Sequence, residues 1–347
     1  MEFTIKQTNI AKGVAICLMF AHHLYAFKDR LLIGNNYIPL IPFINVELYI
    51  GYFGNICISM FLFLSGYGMF LGYLHSEKKL LYYSINKLKS FYLKYWLYFL
   101  IFVPIGIFFF PKVTFWHSNQ VRYSPDIKIF LENFVGWSST YNSEWWFVWN
   151  FIISLLFLFP IYTILVDKNI SFLFFLSILL WYFGSRINPY GHLGFIYWQI
   201  SFALGIICAK LNFFSSYVIK EFDKSKWIVS FVGVLLCYMV RTKLEQKTYD
   251  FLIVPFFIYF SCRAVKILNL SKLMAYLGKY SFPLWLTHSF FCYYYFQNII
   301  YSPKLSPLIF ILLTTMSLLS VLGIELLGSY FIKVKNLFLR NVLSSKP

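Results

Sequence analysis

Lys12, His22 and His23 share one apolar stretch, Lys12-Gly-Val-Ala-Ile-Cys-Leu-Met-Phe-Ala-His22-His23-Leu24-Tyr25. Ionisable groups inside a membrane-length apolar helix are costly, so they are functional candidates by default. Lys12 and His23 stand close to three whole helical turns apart and therefore share a face, separated by about 16 Å along the axis. His22 is turned about 100° from His23, toward a neighbouring helix or another part of the same cavity. A neutral imidazole, with an unperturbed pKa near 6.5, can take a proton from a hydroxyl at neutral pH. A second stretch repeats the arrangement, with Lys279 ahead of Tyr280-Ser281-Phe282-Pro283-Leu284-Trp285-Leu286-Thr287-His288. His288 lies about 13 Å deep, so two histidines far apart in sequence fall at similar depth beneath matched cations.

The elements that must position these groups are membrane helices. The chain of 347 residues is 60% hydrophobic and 12% charged, with a mean hydropathy of +0.67. An ordinary soluble domain carries about 25% charge. Many apolar runs approach the roughly 20 residues needed to cross a bilayer. These features predict an all-α polytopic helical bundle of about ten spans, at 10–27, 56–74, 91–110, 145–166, 170–184, 194–211, 227–240, 249–266, 278–298 and 307–332. Residues 1–347 read as one membrane domain with no separate soluble domain, and the first span reads as an uncleaved anchor. With the N-terminus in the cytoplasm, 20 of the 30 Lys and Arg residues fall on the cytoplasmic side. The positive-inside rule then places both termini inside. It also accounts for the net charge of +17 without nucleic acid as a partner. The six cysteines are scattered singly, without metal-ligand spacing, and read as packing residues. No metal is expected.

Two loops hold the remaining polar residues of interest. The basic segment after the second span carries Lys78, Lys79, Lys87, Lys89 and Lys94. It can set topology and meet anionic headgroups, or it can dock a phosphorylated cytoplasmic ligand. A donor with an anionic head and a long thin arm could rest on lysines at the inner rim and reach a deep histidine; acyl-CoA has that shape. The long outer loop 111–144 carries Trp116, His117, Arg122, Tyr123, Asp126, Glu132, Trp137 and Glu144. Rich in aromatic and polar residues, it reads as an ordered cap. It runs into Glu144-Trp145-Trp146-Phe147, where the tryptophans are either an interfacial belt or a stacking platform for sugars.

Four motifs in order resemble the acyltransferase-3 family of bacterial membrane O-acyltransferases over about residues 10–330. Lys12 and His23 fit its spacing of a basic residue, ten residues and a histidine, although Arg is more usual at the first position. Phe61-Leu-Phe-Leu-Ser65-Gly66-Tyr67 is similar to its second-span signature. Trp146-Phe147-Val148 with Pro160 resembles its central span. Leu277-Gly278-Lys279-Tyr280-Ser281 with Leu284, Leu286 and His288 resembles a later one. Two features depart from the pattern. An Arg-x-x-Arg segment common in the family is here Lys87-Leu-Lys89-Ser90, and an acid usual inside the central span is missing, Glu144 at its outer mouth being the nearest.

The resemblance implies transfer of an acyl group, most often acetyl, from cytoplasmic acyl-CoA to a hydroxyl of a cell-envelope polysaccharide or lipid-linked glycan, in the bacterial cytoplasmic membrane. It implies His23 as general base or acyl-handling residue and His288 as a second polar group in the catalytic cavity. Lys12, Lys87 and Lys89 would bind the donor's phosphates. Glu144, Trp145, Trp146 and Arg186 would meet the acceptor, and proteins of glycan assembly are candidate partners. With about 15 residues after the last span, the chain is expected to acylate its acceptor directly or pass the group to a separate protein. The competing class is a transporter or exporter of a lipid-linked glycan, which would need a polar pathway and often shows an internal repeat; no repeat is apparent.

Overall fold

A computed structural model describes residues 3–116, 118–244 and 248–344, with side chains as far as Ser329. His117 and Lys346 lie outside the described residues, as do the side chains of Lys333, Lys335 and Arg340. The helices run α1 (Ile5–Tyr25), α2 (Val46–Gly54), α3 (Cys57–Leu74), α4 (Leu80–Phe109), α5 (Ile127–Phe134), α6 (Phe147–Ile153), α7 (Phe159–Lys168) and α8 (Ile170–Gly184). They continue with α9 (Phe195–Lys210), α10 (Tyr217–Lys224), α11 (Ile228–Lys243), α12 (Asp250–Ile267), α13 (Ser271–Lys279), α14 (Ser281–Ser289), α15 (Gln297–Tyr301) and α16 (Ser306–Ser344). Each of the ten expected segments lies on these helices. By length and composition, Val46–Leu74, Leu80–Phe109, Ser143–Lys168 and Ser306–Ser329 are long and apolar enough to cross a membrane. α8 and α9 are apolar but shorter. α1 is not in that group, because Lys12, His22 and His23 dilute its apolar content.

α1 is the hub and packs against α2, α3, α12, α13, α14 and α16. Its start is set by Thr4, whose side chain accepts from the Gln7 N–H while the Gln7 side chain accepts from the Thr4 N–H at 2.7 Å. This reciprocal cap satisfies two donors that the first turn would otherwise leave open. Around the hub, glycines bring backbones together. A Cβ on Gly278 would lie 1.8 Å from the Asn9 carbonyl oxygen, and one on Gly13 2.0 Å from that of Met274. The α3–α9 crossing is built the same way, with Gly66 against Phe202 and Gly205 against Phe63. Without a hydrophobic drive between helices in lipid, such close contact is what holds a bundle together. The outward faces of α4, α8 and α11 expose Leu93, Leu97, Phe172, Phe175, Val232 and Leu235, surfaces suited to acyl chains.

The described residues of the loop 111–144 are held by local contacts. Thr114 bridges to Val121, Asp126 caps α5 by accepting from the Lys128 and Ile129 N–H groups, and Arg122, Tyr123 and Tyr141 are buried. Two π-helical turns interrupt the bundle, Ser154–Leu158 between α6 and α7 and Phe290–Tyr294 after α14. Such turns widen the helix locally and gather at functional sites.

The motif Ser65-Gly66-Tyr67-Gly68 divides between packing and cavity. A Cβ on Gly66 would lie 2.1 Å from the Phe202 carbonyl oxygen, whereas one on Gly68 meets nothing within 4 Å. Gly66→Ala is therefore expected to cost about 1–3 kcal/mol by overpacking, read as a lower melting temperature in detergent. Gly68→Ala should melt with the wild type. Equal effects would refute this division.

Candidate active site

Three elements converge on His23. α1 carries it, the π-helical turn after α14 supplies Tyr293, and a short 3₁₀ turn, Ser143–Trp146, supplies Glu144. The Tyr293 hydroxyl donates to the His23 carbonyl oxygen at 2.6 Å, and its oxygen lies 3.3 Å from His23 Nδ1. With its one hydrogen spent on the carbonyl, the hydroxyl can only accept from Nδ1. Nε2 is then the nitrogen available for proton exchange, and it lies 3.4 Å from Glu144 Oε2. His288 packs beside His23 with ring centroids 4.9 Å apart. Its Nδ1 donates to the Trp285 carbonyl at 2.8 Å, and its Nε2 is buried with no partner among the described residues.

Glu144 is positioned from several sides. Asn142 Oδ1 accepts from the Glu144 N–H at 3.0 Å, and the Asn142 side chain is tied to Ser289 Oγ on α14. The Ser143 N–H donates to the Tyr294 hydroxyl, and Arg122 Nη1 donates to Ser143 Oγ. Arg30, in the turn that follows α1, donates from Nη1 to Glu144 Oε1 at 3.0 Å. Its guanidinium is stacked between Phe27, 3.8 Å from the ring centroid, and Trp116, at 4.3 Å. Burial opposes the Arg30 charge more than any single neighbour supports it, but the Glu144 carboxylate together with Tyr293 and Tyr294 raises the Arg30 pKa. One carboxylate thus touches both a fixed cation and the exchanging nitrogen of His23.

His23, Arg30, Ser143 and Glu144 line a cavity of about 960 Å³. It extends from Thr8, Lys12, Lys87, Ser90 and Lys94, past Ser65, Gly68, Phe91, Phe151 and Trp285, to His22, His23 and Asn55, and on to Arg30, Ser139, Ser143, Glu144, Trp146 and Tyr190. Lys12 and His23 do face the same space, as their spacing predicts. Lys87 and Lys94 are the charges that act on Lys12, and none of the three forms an ion pair among the described residues.

Several candidates take other places. Lys89 is absent from the lining; two positions after Lys87 on a helix is about 200° around the axis. Lys94 instead shares the face, seven positions on from Lys87, and that heptad spacing was a signal the sequence offered. His288 lies behind His23, fully buried, rather than in the wall. Trp145 is also buried and donates its indole N–H to the Leu286 carbonyl, so it is a packing residue. Arg186 is exposed and held by the Tyr182 hydroxyl and ring, away from the cavity walls. Trp146 does line the cavity, its ring 4.9 Å from that of Tyr190. Arg30, Tyr293 and Asn55 are new. Nothing in local spacing marks them, because each reaches the site through a turn or an interrupted helix.

A search of curated proteins and a search of solved structures each return no match. The sequence profile of the acyltransferase domain known as acyltransferase 3 matches residues 5–326. That span contains every residue of the cavity wall, so the chain belongs to the acyltransferase-3 family.

Proposed function

We propose that this protein is a multi-pass O-acyltransferase of the bacterial cytoplasmic membrane, with about ten crossings and both termini on the cytoplasmic side. It moves an acyl group, acetyl in the simplest case, from acyl-CoA to a hydroxyl of an envelope glycan. One observation supports this reading above the others: a single cavity joins a lysine cluster, without an ion pair among the described residues, to the His23–Glu144 contact. The phosphates of the donor would rest on Lys12, Lys87 and Lys94. Lysine binds phosphate as a point charge, so the missing Arg-x-x-Arg segment removes bidentate grip but leaves attraction. The pantetheine arm would lie along the apolar middle of the cavity, bringing the thioester to His23. The acceptor would enter beside Trp146 and Tyr190, whose rings suit the apolar faces of a sugar.

The transfer balances on His23. The acceptor hydroxyl oxygen attacks the thioester carbon as its proton passes to Nε2. Glu144 stabilises the resulting imidazolium, and Arg30 holds Glu144 in place. The tetrahedral intermediate collapses with cleavage of the C–S bond, and Nε2 returns the proton to the departing thiolate. Tyr293 keeps Nδ1 engaged, so that only Nε2 exchanges.

His23→Ala is expected to lower acyl transfer by at least about 10²-fold, the usual contribution of a positioned base, at unchanged protein level. Tyr293→Phe should cost up to about tenfold, the worth of one hydrogen bond. Mass spectrometry of envelope glycans and acetyl-CoA turnover would read both; wild-type ester content in His23→Ala would refute the assignment. In a separate test, Lys87→Gln and Lys94→Gln should each raise the acetyl-CoA KM about tenfold or more, with kcat little changed, and added salt should weaken donor binding in the wild type. Unchanged KM in both variants would remove the lysines from the donor site.

A further inference from the structure

His22 stands beside His23 in the cavity wall, their ring centroids 5.2 Å apart, yet the transfer requires only one base. Its partners show a different task. Nδ1 lies 2.7 Å from the Gly51 carbonyl oxygen. A carbonyl only accepts, so Nδ1 carries the hydrogen and the neutral ring keeps its lone pair on Nε2. Nε2 lies 3.2 Å from Asn55 Nδ2, and the amide N–H of Asn55 donates to it. This fixes which way the amide faces, because the reversed amide would set oxygen against a lone pair. Asn55 Oδ1 is thereby left as a buried acceptor with no donor among the described residues, on a residue that lines the cavity.

The turn that carries Asn55 is braced from behind. Arg241 on α11 makes a two-pronged pair with Asp250 on α12, at 2.6 and 3.0 Å, and both side chains are buried. Its Nη1 donates to the Tyr52 and Phe53 carbonyls at the end of α2. In front, Gly54 seats the turn on α1; a Cβ there would lie 2.2 Å from the Leu18 carbonyl oxygen and 3.0 Å from His22 Cβ. A buried ion pair is a costly brace that often adds no net stability. Here it fixes the placement of Asn55.

We propose that His22 is a positioning residue whose neutral ring aims the Asn55 amide, so that Oδ1 accepts a polar hydrogen, N–H or O–H, from substrate bound beside His23. The proposal rests on the acyl-transfer reading of the same cavity. Two sources can supply that hydrogen: an amide N–H of the donor's pantetheine arm, or a hydroxyl or amide of the acceptor.

The test uses the full chain in nanodiscs, with melting temperature as the check on folding. Acetyl-CoA binding is measured alone, and turnover is measured with de-esterified envelope glycan as acceptor. Asn55→Ala is expected to weaken acetyl-CoA binding five- to tenfold if the donor supplies the hydrogen. If the acceptor supplies it, binding stays and the glycan KM rises by a similar factor. His22→Leu should reproduce whichever loss occurs, and the double variant should be no worse than either single one, as linked residues require. His22→Gln, whose Oε1 can accept from Asn55, should recover most of the loss and keep the wild-type pH profile. The proposal is overturned if folded Asn55→Ala changes neither constant, or if His22→Gln loses activity 100-fold together with the acid limb of the profile. Failure of the wild type to bind acetyl-CoA or transfer its acyl group would instead defeat the acyl-transfer reading.

Discussion

Burying ionisable groups in an apolar bundle is the constraint on which this structure depends. Each such group needs a partner or a task, because neither lipid nor packed side chains can solvate it. The His23–Glu144–Arg30 chain is the resolution at one end of the cavity, with a carboxylate shared between an imidazole and a guanidinium. The same demand explains the surroundings. Tyr293 engages the second nitrogen of His23, Asn142 and Tyr294 hold the turn that presents Glu144, and aromatic rings flank Arg30. At the other end of the cavity, Lys12, Lys87 and Lys94 come together with no ion pair among the described residues. The proposed donor, with its phosphates, would supply the missing negative charge.

The two ends carry different chemistry because the cavity between them is narrow in kind. Its middle is largely aromatic and aliphatic, with Phe91, Phe151 and Trp285 beside the small residues Ser65 and Gly68. Gly66 packs against α9 while Ser65 and Gly68 of the same motif open to the cavity. One short stretch therefore both tightens the bundle and clears a path beside α1. The π-helical turn after α14 has a comparable double role, since it sets Tyr293 on His23 and Tyr294 on Ser143 within two successive residues.

Much of the helical fold was legible in the sequence, because apolar run length reports directly on helices. The ten expected segments fall largely on helices, four of the helical stretches being long and apolar enough to cross a membrane. Lys12 and His23 were also legible, since helical period alone puts them on one face. The remaining site residues divide by geometry. The family's Arg-x-x-Arg segment points to Lys87 and Lys89, whereas helical phase from Lys87 puts Lys94 in the wall and turns Lys89 away. Trp145 and Trp146 are neighbours with opposite fates, one in the core and one in the wall, because a 3₁₀ turn separates their directions. Glu144 was named without a partner, and Arg30 was not named, because a contact spanning more than a hundred residues leaves no local pattern. The pairing of His22 with Gly51 and Asn55 depends on a helix break that hydrophobicity does not mark.

The most direct measurement is the structure of the protein bound to a non-hydrolysable acetyl-CoA analogue. A cavity that joins donor to base predicts phosphate oxygens within hydrogen-bond reach, about 3 Å, of Lys12, Lys87 and Lys94. It also predicts the acyl carbonyl beside His23 Nε2, on the Glu144 side. An analogue bound elsewhere, or bound here with its acyl end directed away from His23, would contradict the account.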